Sequence, residues 1–356
     1  MYERILVTGG AGFVGSTLAI AFKERHPETE VIALDNLRRR GSELNLAKLR
    51  DAGVGFVHGD VRSPDDLNTL AKPDLILECS AEPSAQAGYG SSPAYLIDTN
   101  LAGCFHCLEL ARRAKSAFVF ISTSRVYPYR RLNGLRFTED ATRYVLSAGQ
   151  NIAGVSEHGI AEDFPLDGPR SLYGMTKLAA ELMVVEYGDA YGLPYVIDRC
   201  GLLTGPGQMA KSDQGVIALW MAAHYYKKDL AYIGFGGSGK QVRDFLHVDD
   251  LFHAVYEQTN NLDRYAGRAF NLGGGLANSL SLLETTALCE EITGNRIRFD
   301  KQAENRPGDV RLFVTDYRLY GGEANWHPAK NERSTLKSIF DWIRGNENSL
   351  RGVFFG

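Results

Sequence analysis

A doubly wound α/β fold, a parallel sheet with helices on both faces and a smaller C-terminal lobe beside it, is the architecture this sequence predicts. Three observations carry that expectation. Short β-rich runs alternate with helical stretches through residue 200, a glycine-rich turn separates the first strand from the first helix, and the alternation loosens afterwards.

The strand-like runs are RILVT (4–8), VIAL (31–34), GFVHGD (55–60), DLILE (74–78), AFVFIS (117–122) and YVIDRC (195–200). Between them, FVGSTLAIAFKERH and NLAGCFHCLELARRA place apolar residues at helical spacing. Crossovers of this kind are right-handed and build a parallel sheet, whose ligands sit at the carboxyl ends of the strands. From 201 onward, Gly- and Pro-bearing loops, mixed segments and a final helix STLKSIFDWI suggest a second lobe. The expected division is a first domain over 1–200, with 240–262 returning to it, and a substrate lobe over most of 201–356. No linker frees one from the other, so the two should share a cleft.

Bulk properties exclude several classes. At 356 residues the chain is longer than most single cores. A net charge of −4 gives no drive toward nucleic acid or an anionic membrane surface. No run reaches the ~18 uncharged apolar residues a membrane span needs, and the strand pattern that starts at once leaves no room for a signal peptide. The five cysteines are scattered; Cys104 and Cys107 lie on an amphipathic helix without a second ligand pair. Buried thiols in a reducing cytoplasm, and no metal site, are the expectation.

The turn VTGGAGFVG supplies Gly9, Gly12 and Gly15 between strand and helix. Gly9 permits the tight turn, Gly12 lets a pyrophosphate approach the backbone, and Gly15 allows close helix packing. Asp35 ends the next strand, where a carboxylate suits adenosine ribose hydroxyls and opposes a 2′-phosphate. Bound NAD is therefore expected over NADP. The run Arg38–Arg39–Arg40 reads as a solvated loop or as a contact to the cofactor edge. Asp60, closing VHGD, reads equally as a turn residue or as a contact to the adenine edge.

The strand AFVFIS runs into Thr123, whose hydroxyl is placed at the carboxyl end of a central strand, in the cofactor cleft. In SLYGMTK, Tyr173 and Lys177 stand at i and i+4 on one helical face. A lysine ammonium beside a positively charged nicotinamide would lower the tyrosine's pKa toward working pH. The phenolate could then accept a substrate proton as hydride leaves. Lys177 would also hold the nicotinamide ribose, and Thr123 the reacting oxygen.

With TGGAGFVG, Asp35, Asp60, Asn100 in DTNLAG, STSRVY, YGMTK, GKQVRDFLHVDD and NRPGDV in place, the chain resembles the extended short-chain dehydrogenase/reductase family of nucleotide-sugar epimerases and dehydratases. The resemblance implies a Rossmann-like fold, tightly bound NAD and a nucleoside-diphosphate sugar as substrate. It also implies a homodimer through a four-helix bundle built on the helices near 100–114 and 172–188. Phe13, Val14, Asn36, Val61 and Asn100 join the glycines, Asp35, Asp60, Tyr173 and Lys177 as cofactor contacts. Arg243 in VRD and Arg306 before GD are implied as the diphosphate clamp, two guanidiniums suited to two phosphates. Gln208, Gln214 and Asp309 complete the expected substrate contacts.

Where the family's 4,6-dehydratases carry an Asp-Glu pair after the threonine, this chain has Ser124 and Arg125, both expected to face substrate; its decarboxylases carry Glu at the second position. Segments such as DATRY, SDQGVIALW, GSGKQVRDFLHVDDL, NSLSLLE and DVRLFVTD resemble one subgroup, the CDP-paratose (CDP-tyvelose) 2-epimerases. That implies transient oxidation at C2 and return of the hydride to the opposite face. A 4-epimerase, a 4-reductase, and a catalytically silent NAD-binding sensor or partner module are the alternatives. The chain departs from the family pattern at ECSAEPSA, where a histidine-containing strand end is common. Local hydrogen bonding is the expectation for Glu78 and Glu82, with Glu82 facing the cleft as the alternative. The long polar interval 128–171 is expected to form part of the sugar pocket, with Arg143 and Tyr144 near substrate.

Overall fold

The structure, a computed structural model, describes residues 2–211 and 214–355. Seven parallel strands form the central sheet: β1 (Arg4–Thr8), β2 (Glu30–Asp35), β3 (Gly55–His58), β4 (Leu75–Glu78), β5 (Ala117–Thr123), β6 (Tyr195–Cys200) and β7 (Arg268–Leu272). Their spatial order is β7-β6-β5-β4-β1-β2-β3. The doubly wound sheet is therefore as the alternation predicts. β7 is the strand the sequence reading did not single out, for RAFNL is short, interrupted by Arg268 and Asn271 and far from the rest of the βα series.

Alternation along each strand makes two apolar layers. On one face Ile5, Val7, Leu77, Val119 and Val196 pack under α1 (Phe13–Arg25) and a helix further along the chain, Val248–Asn260. On the other, Leu6, Ile76, Phe118, Phe120 and Ile197 pack under α2 (Gly103–Ala114) and α3 (Leu172–Tyr191). β5 is buried over its whole length, which explains its unbroken apolar run; truncating Phe118 or Phe120 to alanine would cost roughly 3–5 kcal/mol.

α3 carries the Tyr-x-x-x-Lys pair. The Ser171 hydroxyl caps its N-terminus by accepting from the Gly174 N–H at 3.1 Å, and Gly192, at φ +66°, ends it in the left-handed conformation. Glycine is required at Gly159, where φ is +120° and a Cβ would lie 2.2 Å from the Val314 carbonyl oxygen. This contact seats the 128–171 insertion on the C-terminal part of the chain. Tyr127, Leu132, Leu135 and Phe164 close the same junction with Val310 and Phe313.

The remaining layer is a small sheet of Leu202–Thr204, Val242–His247, Ser279–Ser281 and Leu312–Phe313. It is backed by helices Val216–Tyr226, Leu282–Thr293 and Glu332–Gly345 around Trp220, Cys289, Leu336 and Ile339. Cys104 and Cys107 are buried thiols under α2. No helix among the described residues is long and apolar enough to cross a membrane.

Candidate active site

The turn after β1 is built by close backbone contacts. Gly9 sits at φ +60° and its carbonyl accepts from the Gly12 N–H at 2.9 Å. A Cβ on Gly15 would fall 2.2 Å from that same carbonyl, so only glycine lets α1 start here. The first turn of α1 has neither a side-chain cap nor an acidic residue, leaving its N–H donors for an anion. They open onto a cavity of about 590 Å³ lined by Gly9, Gly12, Phe13, Val14, Gly15, Asp35, Asn36 and Val61. Close-approach glycines, free helix donors and a carboxylate at the end of β2 fit a dinucleotide.

Asp35 is also part of the turn: its carboxylate accepts from the Ala11 and Leu37 N–H groups at 3.1 and 2.8 Å. Burial pushes this carboxyl up, and those bonds oppose the shift. Arg38 lies over the Tyr95 ring, 3.8 Å from its centre, at the cavity wall.

Of the expected cofactor contacts, Asp60 and Asn100 line neither this cavity nor the next. The Asp60 carboxylate is clasped by Arg62 at 2.6 Å and by Asn36 at 2.9 Å, which together hold it down at about 2 against burial. Asn100 is consumed within the fold: its carboxamide donates to the Glu82 carbonyl and the Thr176 hydroxyl, both at 3.1 Å, and accepts from the Glu82 N–H at 2.7 Å. Asn100 thus ties the loop after β4 to α3. Glu82 lines the cavity, and its carboxylate accepts from the Ser84 N–H.

A second cavity, about 690 Å³, shares Phe13, Val14 and Cys79 with the first. Thr123, Tyr173 and Lys177 stand together in its wall. The Thr123 hydroxyl accepts from the Arg125 N–H at 3.2 Å. Lys177 is buried with its ammonium 3.9 Å from the centre of the Phe120 ring. The expected lowering of the tyrosine is not what the protein alone produces. Burial pushes Tyr173 up to about 12, with Thr123 and Arg125 opposing and Glu82 adding to the rise.

Ser124, Arg125, Gln208, Gln214, Arg243, Arg306 and Asp309 line this cavity too. Arg125 donates to the Gly308 carbonyl at 3.1 Å. Arg243 donates to Asp309 at 2.8 Å and to the Val310 carbonyl at 2.6 Å; burial brings it down to about 10 despite Asp309. Gln208 is braced by the Thr204 hydroxyl at 3.0 Å and the Leu203 carbonyl at 2.8 Å.

Arg143 and Tyr144 lie elsewhere, contrary to expectation. Arg143 is locked onto Glu284 at 2.8 Å and the Ser279 carbonyl at 2.7 Å, and Tyr144 packs its ring against Arg311 and Phe235. Both pin the insertion to the C-terminal lobe. Sequence reasoning missed Trp220, Gln241 and Asp244 in the cavity wall. Asp244, which burial pushes up to about 6, stands inside the VRD element, so its neighbour Arg243 was the available signal.

A glycine turn on a doubly wound sheet, with a threonine, a tyrosine and a lysine in the wall of the adjoining cavity, defines a dinucleotide-dependent enzyme. The chain belongs to the NAD dependent epimerase/dehydratase family, whose pattern matches residues 5–273. It is 31% identical to the CDP-paratose 2-epimerase of Salmonella typhi over 95% of this chain and 98% of that one. It is 28% identical to the dTDP-glucose 4,6-dehydratase of Mycobacterium tuberculosis over 98% and 95%. Among solved structures, a double mutant of the dTDP-glucose 4,6-dehydratase of Streptomyces venezuelae with NAD bound superposes with a TM-score of 0.79 at 26% identity, covering 98% of this chain and 99% of that one.

Proposed function

We propose that this protein is a nucleotide-sugar epimerase acting at C2 through a transient ketone, with a CDP-linked sugar of the paratose/tyvelose type as substrate. The observation that carries the reading is the wall of the second cavity. Thr123, Tyr173 and Lys177 are assembled there, while Ser124 and Arg125 occupy the places where an eliminating enzyme carries its Asp-Glu pair. The similarity to a 2-epimerase over 95% of the chain supports the choice of carbon.

NAD, when bound, supplies a reversible hydride acceptor. The chain's own residues do the rest. Gly9, Gly12 and the first turn of α1 take the pyrophosphate, and Asp35 takes the ribose. Arg243 and Arg306 grip the sugar-nucleotide diphosphate, with Asp309 orienting Arg243. As hydride leaves C2, Tyr173 in its phenolate form takes the hydroxyl proton and Thr123 hydrogen-bonds the same oxygen. Once the ketone has presented its other face, Tyr173 would return the proton to the same oxygen. A Tyr173 held at about 12 stays protonated in the protein alone, so the charges of Lys177 and of the bound nicotinamide are needed to bring it down.

Phe105, Leu182, Val185 and Tyr191 are exposed on α2 and α3, which supports pairing with a second copy through a four-helix bundle. Five thiols without disulfides support a cytoplasmic setting.

The test is incubation with CDP-, UDP-, GDP- and dTDP-sugars in ordinary and deuterated water, read by NMR. Inversion at C2 with the original hydrogen retained is the expected result. Inversion at C4, stoichiometric consumption of added NAD(P)H, or no exchange on any sugar would replace the reading by a 4-epimerase, a 4-reductase or a non-catalytic NAD-binding module.

A further inference from the structure

Glu78 ends β4 and takes part in none of the steps above. Its Cα partners are Thr8 on β1 and Phe120 on β5, and alternation from Ile76 turns its side chain toward the α2–α3 layer with Phe120. It is 1% exposed. Oε1 accepts from the hydroxyls of Thr8, at 3.3 Å, and Ser80. Oε2 is buried with no hydrogen-bond partner among the described residues. On the same face sits the Lys177 ammonium, over the Phe120 ring and 2% exposed. The other carboxylate of this layer, Glu181, is taken by Arg199 at 2.8 Å and by Ser122 at 2.5 Å. Cys79 and, from α2, Cys104 and Cys107 are the remaining titratable groups about Glu78, and burial keeps all three thiols protonated. A buried ammonium and a buried carboxylate with a bare oxygen are each costly alone and compensate each other.

We propose that Glu78 is the counter-charge of Lys177, a positioning residue that holds the ammonium seated on Phe120 so that its field reaches Tyr173. The proposal rests on the acid/base role read above for Tyr173 and Lys177. Burial pushes the Glu78 carboxyl up and Lys177 is the largest influence drawing it back. Thr123, Arg125, Glu82 and Cys200 also act on Tyr173, and Glu78→Gln replaces none of them.

The test is a spectroscopic titration of the Tyr173 phenolate in NAD-loaded protein, taken as the difference from Tyr173→Phe. Glu78→Gln should raise the pH at which the phenolate forms by about one unit, because a buried ammonium without its counter-charge leaves its seat on Phe120, and its field at Tyr173 is lost with it. Glu78→Asp should raise it by less, and neither change should shift it once Lys177→Met is present. An unchanged titration in Glu78→Gln reduces Glu78 to packing, and a shift to lower pH makes its charge act on the phenol directly; either overturns the proposal. If Glu78→Gln does not fold, Glu78→Asp with and without Lys177→Met reads the same coupling. A Lys177→Met protein that titrates like wild type overturns the acid/base reading instead.

Discussion

Arg199 clasps the Glu181 carboxylate, Nη2 to Oε2 at 2.8 Å and Nε to Oε2 at 3.0 Å, one helical turn beyond Lys177. The pair is buried, and Arg199 also reaches the Tyr127 hydroxyl and the Glu162 carbonyl, each at 3.4 Å. One guanidinium therefore joins β6, α3 and the 128–171 insertion. Removing it by Arg199→Met leaves the buried Glu181 carboxyl with the Ser122 hydroxyl and no guanidinium. The expected loss is about 3–5 kcal/mol, read as a lower urea midpoint with the cofactor still able to bind. Arg199→Met combined with Glu181→Gln should recover much of that loss.

Tyr173→Phe should abolish turnover while NAD remains bound; more than a few per cent of residual activity would place the base elsewhere. The same tyrosine predicts a pH effect. With Tyr173 and Tyr127 both pushed up to about 12 by burial, the folded state favours the protonated phenols relative to the unfolded value near 10. Their contribution is complete below about pH 10 and is lost as pH rises through about 12. Alkaline unfolding followed by circular dichroism should show this, and Tyr173→Phe should flatten part of it.

Asp35→Asn keeps an acceptor for only one of the Ala11 and Leu37 N–H groups, which bond Oδ2 and Oδ1 separately, and removes the charge that opposes a 2′-phosphate. The preference for NAD over NADP should fall roughly ten-fold or more, matching a charge–charge contribution of about 1–4 kcal/mol. Binding of each dinucleotide by calorimetry measures it; an unaltered ratio would remove Asp35 from the selectivity.

What could be read in the sequence was what is local. The glycine turn and Tyr173–Lys177 are each set by a few consecutive residues and by one strand–helix junction, so spacing alone locates them. Arg143 and Asn100 sit in equally suggestive strings, yet their partners are Glu284, Glu82 and Thr176. For Arg143 that partner lies 141 residues away, and no local pattern says whether a guanidinium ends on a carboxylate or in a cleft. β7 escaped for the same reason: its five residues become a strand only because β6 offers an open edge to pair with.

The outer faces of α2 and α3, which pack side by side, carry Phe105, Leu182, Val185 and Tyr191, with Leu182 61% exposed. A leucine this open on a helix costs little to replace in a monomer but much in a bundle. Leu182→Glu should therefore leave the melting behaviour of the isolated chain unchanged at high dilution and convert a dimer to a monomer in sedimentation velocity. A wild type that sediments as a monomer at all concentrations would remove the bundle.

Asp198 on β6 is fully buried, accepts from the Gln258 side chain at 2.8 Å through Oδ1, and has no partner for Oδ2 among the described residues. Burial pushes its carboxyl up to about 7. The folded protein therefore keeps the proton where the unfolded chain, titrating near 4, has lost it. Stability from this group is fully present below about pH 4 and is lost as pH rises through 7, a total of about 4 kcal/mol. Asp198→Asn removes the titration, so its urea midpoint should vary less between pH 5 and 8 than that of the wild type, and the variant should be the more stable protein at pH 8. The core at this point consists of Val196, Phe270, Tyr265 and Tyr320, which offers an ionised carboxylate no compensation. Equal pH dependence in the two proteins would mean that Asp198 is ionised in the fold, and that Gln258 alone satisfies it.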